Sequence, residues 1–366
     1  MKPQGKDVKE TALLKFQKDF DQLDDLRGEI SSCLITGSDL WLSYDEGAGI
    51  ERLSRSKNKD KYKYKSHKHY DLKDFFDLTD DSEMDMEALA YAPPYLWFSG
   101  SMSLKRDQPD PEDSTEDQLK ALTKIKVDAN RFSLGCIPCL EEDGHFNLYQ
   151  EASFLDHTVT AKMMRGGATS SELHNALMAD EHLADFMDIP SKDNGFDIEG
   201  MAVEDQRIFL GLRGPVLNGY ALILEIICEP LNGELIMQRR DGEAKLYRKH
   251  FIDLSGMGIR ELNIDEKGDL YILAGPTMDL DGTISVYKIG GGLPDQEHSV
   301  THDPERMFDV ARGAEIKHGY DKAEGMAFID DEHVLITYDN PIEERLKSKH
   351  KVKMDVYEMS PKENQS

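Results

Sequence analysis

The sequence predicts an all-β fold of the β-propeller class, with five blades and a six-bladed alternative. The first observation is a self-similar unit, in which an acidic residue opens a short apolar segment and a polar turn leads to a stronger apolar run. Its clearest copy is FDIEGMAVEDQRIFLGLRGP at 196–215. Repeated short strands separated by turn residues are typical of radial β architectures. The second observation is that runs such as Ile208–Leu212 are short, β-branched or aromatic, and bounded by turn residues, which favours strands over helices.

The copies of this unit keep a nearly constant internal spacing. Equivalent residues lie 14 or 15 positions apart in five pairs: Ser31 and Asp45, Glu87 and Ser101, Glu199 and Arg213, Glu261 and Gly275, Glu324 and Asp339. An irregular β-sandwich is the alternative, but the agreement of five spacings favours a propeller. The 112 positions between Glu87 and Glu199 nearly double the later intervals of 62 and 63, which leaves room for a sixth blade. Because no second strand set is evident between residues 151 and 194, we predict five.

One propeller domain is predicted over residues 11–359, with residues 1–10 and 360–366 flexible. Its predicted elements, in order, are a strand at 11–20, a first blade at 26–78, a second blade at 85–150, a polar loop insertion at 105–130, a helical insertion at 169–188 and last-blade strands at 323–327, 334–338 and 352–359. Leu173, Leu177, Leu183 and Phe186 suit one face of a helix pair, with Ser170 or Ser171 as the N-cap. The N-terminal strand is expected to close the ring as the fourth strand of the last blade.

Composition limits the possible partners. The 366 residues carry a formal net charge of −27, which repels phosphate backbones and anionic lipids, so we expect neither a nucleic-acid nor a membrane partner. Basic residues and tyrosines alternate over 52–73, a pattern that fits a solvated hairpin better than an anion site. The charged N-terminus has no apolar signal core and no long apolar run follows, so a cytoplasmic protein is expected.

Cys136 and Cys139 form a CIPC segment, the spacing of a redox dithiol or half of a zinc site. No second cysteine pair accompanies them, and the segment reads as an outer strand. A redox or metal role is therefore the less favoured interpretation.

Several segments resemble the bacterial family known as domain of unknown function 3616. They include LWLSYDEGAGIERL, DMEALAYAPPYLWFSGSMSLKR, LGLRGPVLNGYALILEI and EGMAFIDDEHVLITYDNP, and the resemblance extends from about Leu26 to Pro341. It implies a β-propeller-like fold and transfers no activity. Members of the family tend to have Gly where this chain has Ala88 and His where it has Met102.

Equivalent positions of a propeller's innermost strands form a ring around the central channel. The predicted ring consists of Ser31, Glu87, Glu199, Glu261 and Glu324. Converging carboxylates repel one another, and a hard cation such as calcium, which takes six to eight oxygen ligands, would neutralise them. The chemistry is similar, in its ring alone, to that of five-bladed calcium-dependent nucleotidases. The alternative is that the carboxylates are structural, accepting backbone hydrogen bonds or pairing with Arg213 or Arg260.

A second ring is predicted at one mouth of the channel, where the second strands end. The candidate ligand-binding residues are Asp45, Glu46, Ser101, Lys105, Arg106, Arg213, Asp279 and Asp339. Acids, hydroxyls and cations at a concave mouth suit a polar or anionic small molecule. Asp45, Arg213 and Asp339 are the candidate catalytic residues. No nucleophile elbow, HExxH or P-loop motif is present.

Two functions remain open from the sequence. One is a binding or scaffolding propeller for a small molecule or a protein, with calcium as a possible cofactor. The other is a divalent-metal-dependent hydrolase of a phosphoester or other polar small molecule at the channel mouth, in which the ion polarises an oxygen or activates water. Convergence of Arg213, Lys105 and Arg106 with Asp45 and Asp339 on one mouth would favour an anionic ligand.

Overall fold

The computed structural model describes residues 8–56, 61–80, 82–167, 169–278, 280–311 and 319–359. Residues 1–7 of the flexible N-terminus predicted at 1–10, the flexible end predicted at 360–366, residues 57–60 of the basic stretch and Asp279 lie outside these ranges. In the described parts the chain is all-β, with curled antiparallel sheets and short helices only between strands. None of the helices in these ranges has the length and apolar character needed to cross a bilayer.

The first part of the chain contains the N-terminal strand and the four strands that follow it in the same sheet. Its elements are β1 (Glu10–Lys15), helix α1 (Leu23–Gly28), β2 (Ile30–Thr36), β3 (Asp39–Tyr44), β4 (Gly49–Arg55), β5 (Lys63–Asp71) and a 3-10 turn (Leu72–Asp74). Strands β2 to β5 pair consecutively and antiparallel, and we call them group 1. The basic stretch at 52–73 is therefore the outer hairpin of this group.

The second part contains both insertions. Its elements are β6 (Met86–Ala92), β7 (Tyr95–Gly100), β8 (Lys105–Arg106), α2 (Thr115–Thr123), β9 (Ile125–Lys126), a 3-10 turn (Ala129–Phe132), β10 (Leu134–Glu142), β11 (His145–Leu148), β12 (Glu151–Phe154), β13 (His157–Thr160), β14 (Lys162–Met164), β15 (Gly166–Gly167), β16 (Ser170–Ser171), α3 (Glu172–Leu177) and 3-10 turns at Ala184–Phe186 and Ser191–Asp193. Group 2 is β6, β7, β10 and β11.

The helical insertion differs from the predicted pair of helices. Only α3 is an α-helix, and Ser171 caps it by accepting a hydrogen bond from the His174 amide, whereas the second predicted helix is a single 3-10 turn. Short strands that the sequence did not predict also occur here. Within the described residues, two hairpins, β12–β13 and β15–β16, pair only within themselves. Strand β14 pairs with β10 on one side and with the later strand Glu234–Met237 on the other.

The remaining strands form three further groups. They are β17 (Asp197–Glu204), β18 (Arg207–Gly214), β19 (Tyr220–Leu231), β20 (Glu234–Met237), β21 (Tyr247–Asp253), β22 (Gly258–Ile264), β23 (Leu270–Gly275), β24 (Ser285–Ile289), β25 (His298–Thr301), β26 (Glu305–Asp309), β27 (Lys322–Asp330), β28 (His333–Asp339), β29 (Leu346–Ser348) and β30 (Lys351–Glu358). Group 3 is β17, β18, β19 and β21; group 4 is β22, β23, β24 and β26; group 5 is β27, β28, β30 and β1. The N-terminal strand is thus the fourth strand of the last group, as the sequence predicts.

The groups are arranged in a circle with their first strands innermost. Strand β2 contacts β6 and β27, β17 contacts β6 and β22, and β22 contacts β27, so that the contacts return to their start. Parallel pairs also occur at the outer edge: β5 pairs with β1 of group 5, and β21 pairs with β25. The parallel pair of β14 and β20 connects β10 of group 2 to β19 of group 3. The sheets therefore curl around one central axis.

The core lies between neighbouring groups. Trp41 of group 1 packs in one cluster with Phe98 of group 2, and Phe209 of group 3 packs in another with Ile272 of group 4. Because each sheet buries both faces, its inner strands are apolar on both sides. The CIPC strand β10 illustrates this: Cys136 and Cys139 belong to different clusters on opposite faces, so the two thiols cannot hold one ion.

Candidate functional site

A β-bulge near the start of each innermost strand projects one residue toward the axis. Near the start of each strand the pairing register skips one residue: Ser31 in β2, Glu87 in β6, Glu199 in β17, Arg260 in β22 and Glu324 in β27. A bulged residue has no cross-strand partner and can turn its side chain away from the sheet. The bulges thus build the predicted ring, with an arginine at the fourth position.

Glu261 is therefore a correction to the predicted ring. The register pairs Glu261 with Leu273, one layer deeper than the bulge. Small residues hold the equivalent layer in the other groups, namely Ser32, Ala88, Gly200 and Gly325, and they leave room for this one long side chain. A side chain at Gly325 would come within 2.2 Å of Thr337 Oγ1. Ala88, where the family tends to have Gly, is fully buried in this layer.

The Glu261 carboxylate links several inner strands by accepting hydrogen bonds from their residues. Its Oε2 accepts a hydrogen bond from Ser32 Oγ at 2.6 Å, and its Oε1 accepts one from the Leu262 amide at 3.0 Å. The amides of Cys33 and Met201 also donate to it. Burial raises the pKa of Glu261 well above its ordinary value, against the opposing effect of these donors.

Glu261→Gln is expected to destabilise the protein by about 1–3 kcal/mol, because the amide group would place N–H donors against backbone donors in a buried layer. Urea unfolding measures the effect. Glu266→Gln, which removes an exposed glutamate from the adjacent turn, is the matched control and should leave the midpoint unchanged. Equal midpoints for the two variants would contradict a structural role for the Glu261 carboxylate.

The bulge residues form the middle of three tiers around one mouth of the channel. A second tier is formed by the residues two positions before each bulge residue: Glu29, Asp85, Asp197, Gly258 and Lys322. A third tier is formed by residues at the ends of the second strands: Asp45, Ser101, Arg213, Gly275 and Asp339. These tiers surround a cavity of about 680 Å³. The turns of the inner hairpins lie at the other end of the strands, away from this cavity.

Most of the residues predicted for the site meet in this cavity. Its lining includes Asp45, Glu46, Glu87, Lys105, Arg106, Glu199, Arg213, Glu324 and Asp339. Two predicted residues lie just behind it: Ser31 donates to Asp45 Oδ1 at 2.5 Å, and the buried Ser101 pairs with Ser103 Oγ at 2.9 Å. Met102, where the family tends to have His, is buried and accepts from Ser171 Oγ through its sulfur.

Arginines neutralise the carboxylates on one side of the mouth. Arg213 Nη2 lies 2.5 Å from Asp197 Oδ2, and its Nη1 lies 2.5 Å from Glu199 Oε1. Arg260 Nη1 pairs with Glu324 Oε1 and lies 3.5 Å from Glu199 Oε2. Glu199 and Glu324 are therefore engaged in buried ion pairs, which is the structural alternative considered for the predicted ring.

The opposite side of the mouth carries three carboxylates, and an arginine pairs with one of them, Asp85. Oxygen atoms of Asp45, Asp85 and Glu87 lie within 4.8 Å of one another. Ser31 holds one oxygen of Asp45, and Arg131 Nη1 holds Asp85 Oδ2 at 2.8 Å. Glu87 is only 8% exposed, and no hydrogen bond or ion pair reaches its side chain from the residues that the structure describes. We call these three residues the carboxylate triad.

The electrostatics of the triad follow from this geometry. Burial raises the pKa of Glu87 well above its ordinary value, and the charges of Asp45 and Asp85 raise it further. Burial, Asp85, Asp339 and Glu324 do the same for Asp45, against the hydrogen bond from Ser31. Carboxyl oxygens of this kind, oriented by neighbours and with Arg131 as counter-charge at Asp85, suit a hard cation.

Other carboxyls around the mouth also have raised pKa values. Burial, followed by the charge of Glu324, raises the pKa of Asp339 to about 7. Burial and Glu46 raise that of Glu29 to about 7, while burial raises that of Asp197 to about 6 despite Arg213. A group with a raised folded-state pKa stabilises the fold below its unfolded pKa and loses this contribution as pH rises through the folded value.

Asp339→Asn is expected to increase stability in the presence of a chelator by roughly 1–3 kcal/mol above pH 7, and to have little effect near pH 4. The amide cannot ionise, so the variant avoids the cost of a buried charge. Urea unfolding across this pH range, compared with the wild-type protein, provides the measurement. A difference that is constant with pH would show that Asp339 does not titrate in this window.

Sequence reasoning missed Asp85, Asp197 and Arg131, and it named Arg260 as a counter-charge for the ring carboxylates rather than as a member of the ring. A signal for the first two is present in the repeat, since Asp85-Met86-Glu87 and Asp197-Ile198-Glu199 share an Asp-x-Glu pattern. Equal spacing did not identify Arg260 as the bulge residue, because the turn of its hairpin, at 265–269, has five residues. The other inner hairpins have two-residue turns. Arg131 enters from the end of the second-group insertion, which has no equivalent in the other copies.

Fold and site together define a β-propeller-like protein with a charged, water-accessible cavity at one end of its axis. A family model described as "Protein of unknown function (DUF3616)" matches residues 29–355, and the chain belongs to this family. The resemblance inferred from the sequence is thereby confirmed. A search of the curated proteins found no match.

Three of the solved structures that are similar to the chain are distant proteins, as follows. Glutaminyl cyclase from Myxococcus xanthus shares 9% identity at a TM-score of 0.39, with 96% of each chain covered. The WD40 β-propeller domain of Doa1 shares 9% identity at a TM-score of 0.30, with 95% of each chain covered. The PQQ-bound aldose sugar dehydrogenase from Streptomyces coelicolor shares 8% identity at a TM-score of 0.36, covering 95% of this chain and 99% of that one.

Proposed function

We propose that this chain is a five-bladed β-propeller that binds a divalent cation at the mouth of its channel. Because the donor atoms of the site are oxygens, we propose calcium as the cation. The ion would in turn hold a polar or anionic small molecule. The observation that supports this is the carboxylate triad: three carboxylates within 4.8 Å of one another, of which Glu87 is buried without a partner in the described residues. The proposed ligands are Asp45, Asp85 and Glu87, in place of the predicted five-residue ring.

Five blades account for the pattern of contacts among the inner strands. The circle of β2, β6, β17, β22 and β27 closes on itself without a further inner strand. The long interval between Glu87 and Glu199 is filled by the two insertions and by hairpins that pair only within themselves. A sixth blade would need an inner strand between β6 and β17, yet these two strands are in direct contact.

The proposal predicts one bound divalent ion per chain. Isothermal titration with calcium after treatment with a chelator should give one site, and Asp85→Asn should weaken it by at least roughly tenfold. Asp205→Asn, which changes an exposed aspartate in a turn of the opposite face, is the matched control. Absence of calcium binding by the wild-type protein, or equal affinities for the two variants, would contradict the proposed site.

A second candidate function is hydrolysis of a phosphoester at the same mouth. The observation that favours it is Asp339, whose pKa of about 7 suits proton transfer at neutral pH and which lines the same cavity as the triad. Arg213 is held by two carboxylates, so its role would be to position Glu199 and Asp197. Calcium-dependent release of phosphate from a phosphoester panel, lost in Asp339→Asn, would support this function, whereas an inactive wild-type protein would leave the binding function alone.

The proposed partner is a small molecule or a protein. We propose neither a nucleic-acid nor a membrane partner. The net charge of −27 supports this choice, because it disfavours polyanionic partners of extended size. The cationic groups of the cavity are confined to its walls and rim, where a small ligand can reach them.

A further inference from the structure

The cavity is nearly neutral in charge, although the chain as a whole is strongly acidic. Ten acidic and eight basic side chains line it, so that one divalent ion would balance the formal charges. Without the ion, an anion entering the cavity meets an excess of carboxylates. With the ion bound to the triad, the same anion meets a local positive charge in a partly dehydrated site, where electrostatic attraction is stronger than in water.

Calcium bound to the triad would also keep open coordination positions. Three carboxylates supply only part of the six to eight oxygens that calcium takes, and Ser31 and Arg131 already hold one oxygen each of Asp45 and Asp85. The remaining positions would be open to oxygen donors from a ligand in the cavity. An oxyanion from a ligand is a donor of the correct hardness to fill them.

Two lysines of the cavity lining would supply counter-charges to such an oxyanion. Lys322 Nζ lies 4.0 Å from Asp339 Oδ2, and Lys192, in the 3-10 turn Ser191–Asp193, also lines the cavity. The charges of both lysines act on Asp339, and the charge of Asp339 acts in turn on Asp45 of the triad. Within the described residues, no carboxylate oxygen lies within 4 Å of the Lys192 ammonium group.

We infer that the ligand of this mouth carries an oxyanion, a carboxylate or a phosphate, that binds after the cation and bridges it to Lys192 and Lys322. The inference rests on the proposed function, since it requires the ion at the triad. It adds an order of binding, in which calcium creates the anion site. It also assigns specificity to the 3-10 turn that carries Lys192, which follows the helical insertion and lies outside the repeat.

The experiment titrates the full chain with methylphosphonate, a non-hydrolysable phosphate mimic, and separately with acetate, with calcium and with a chelator. We expect at least one anion to bind in calcium and neither to bind measurably in chelator, and the tighter of the two identifies the oxyanion class. Lys192→Gln should weaken that anion by roughly tenfold while leaving calcium affinity nearly unchanged. Lys267→Gln, an exposed lysine in the turn of an inner hairpin, is the matched control.

The outcomes separate this inference from the proposed function. If calcium does not bind, the proposed function fails and the inference fails with it. If calcium binds but neither anion does, or if an anion binds equally well in chelator, the proposed function stands and the inference is overturned. An unchanged anion affinity in Lys192→Gln, with anion binding intact, would overturn the assignment of the lysine.

Discussion

Replacement of Arg213 by methionine is expected to destabilise the protein by about 3–5 kcal/mol. The guanidinium is mostly buried and holds Asp197 and Glu199 at 2.5 Å each, so its loss leaves two carboxyls in the channel without their main counter-charge. Methionine fills a similar volume, which keeps a cavity from contributing. Because the pKa of Asp197 is already about 6, the loss should be larger at pH 8 than at pH 5, where the carboxyls can take up protons.

The control for this prediction is Arg306→Met, which removes the same charge from a surface ion pair. Arg306 lies 2.5 Å from Asp309, but 44% of its side chain is exposed, so the change should cost no more than about 1 kcal/mol. Urea unfolding of both variants at the two pH values provides the comparison. Similar losses for Arg213→Met and Arg306→Met, or a loss that does not depend on pH, would show that Arg213 does not neutralise the channel.

Glu87→Gln is expected to change stability in opposite directions with and without calcium. In chelator the variant should be more stable than the wild-type protein near pH 8, because an amide replaces a buried carboxylate that faces Asp45 and Asp85. In calcium it should lose the stabilisation that the wild-type protein gains from the ion, because one of three ligands is gone. The expected loss of calcium affinity is at least the 10–100-fold typical for removal of an outer-shell partner.

Thermal unfolding with and without calcium measures the stability difference between the variant and the wild-type protein in each condition. A calcium titration measures the affinity. Glu332→Gln, in an exposed turn of group 5, should follow the wild-type protein in both conditions. If Glu87 were merely structural, its replacement would lower stability in both conditions. A variant that retains the full calcium response would exclude Glu87 as a ligand.

The repeat allowed much of this architecture to be predicted from the sequence. The 14-residue interval between Glu199 and Arg213 reflects an inner hairpin with a two-residue turn, in which a bulged residue and the end of the second strand reach the same mouth. Group 4 departs from this because its turn is longer, so equal spacing pointed to Glu261 when the bulge holds Arg260. Spacing along the chain therefore predicts the register only when the turns have the same length.

One side of the mouth has carboxylates paired with arginines, and the other side has the carboxylate triad. This division could not be predicted from spacing along the chain. It depends on which carboxyl each arginine reaches, and Arg260 reaches across from group 4 to Glu324 of group 5. Such a contact depends on side-chain direction rather than on sequence position. The insertions raised the same difficulty, since Arg131 and Lys192 lie on segments that the other groups do not contain.

The position of β1 has a consequence for synthesis of the protein. Strand β1 pairs with β30, more than 300 positions later, and with β5 of the first group. A nascent chain on the ribosome that has not yet produced β30 therefore keeps an unpaired strand edge on β1, and such edges promote association between chains. We expect fragments that end after β28 to aggregate, and cellular yield to depend on how quickly translation reaches the last strand.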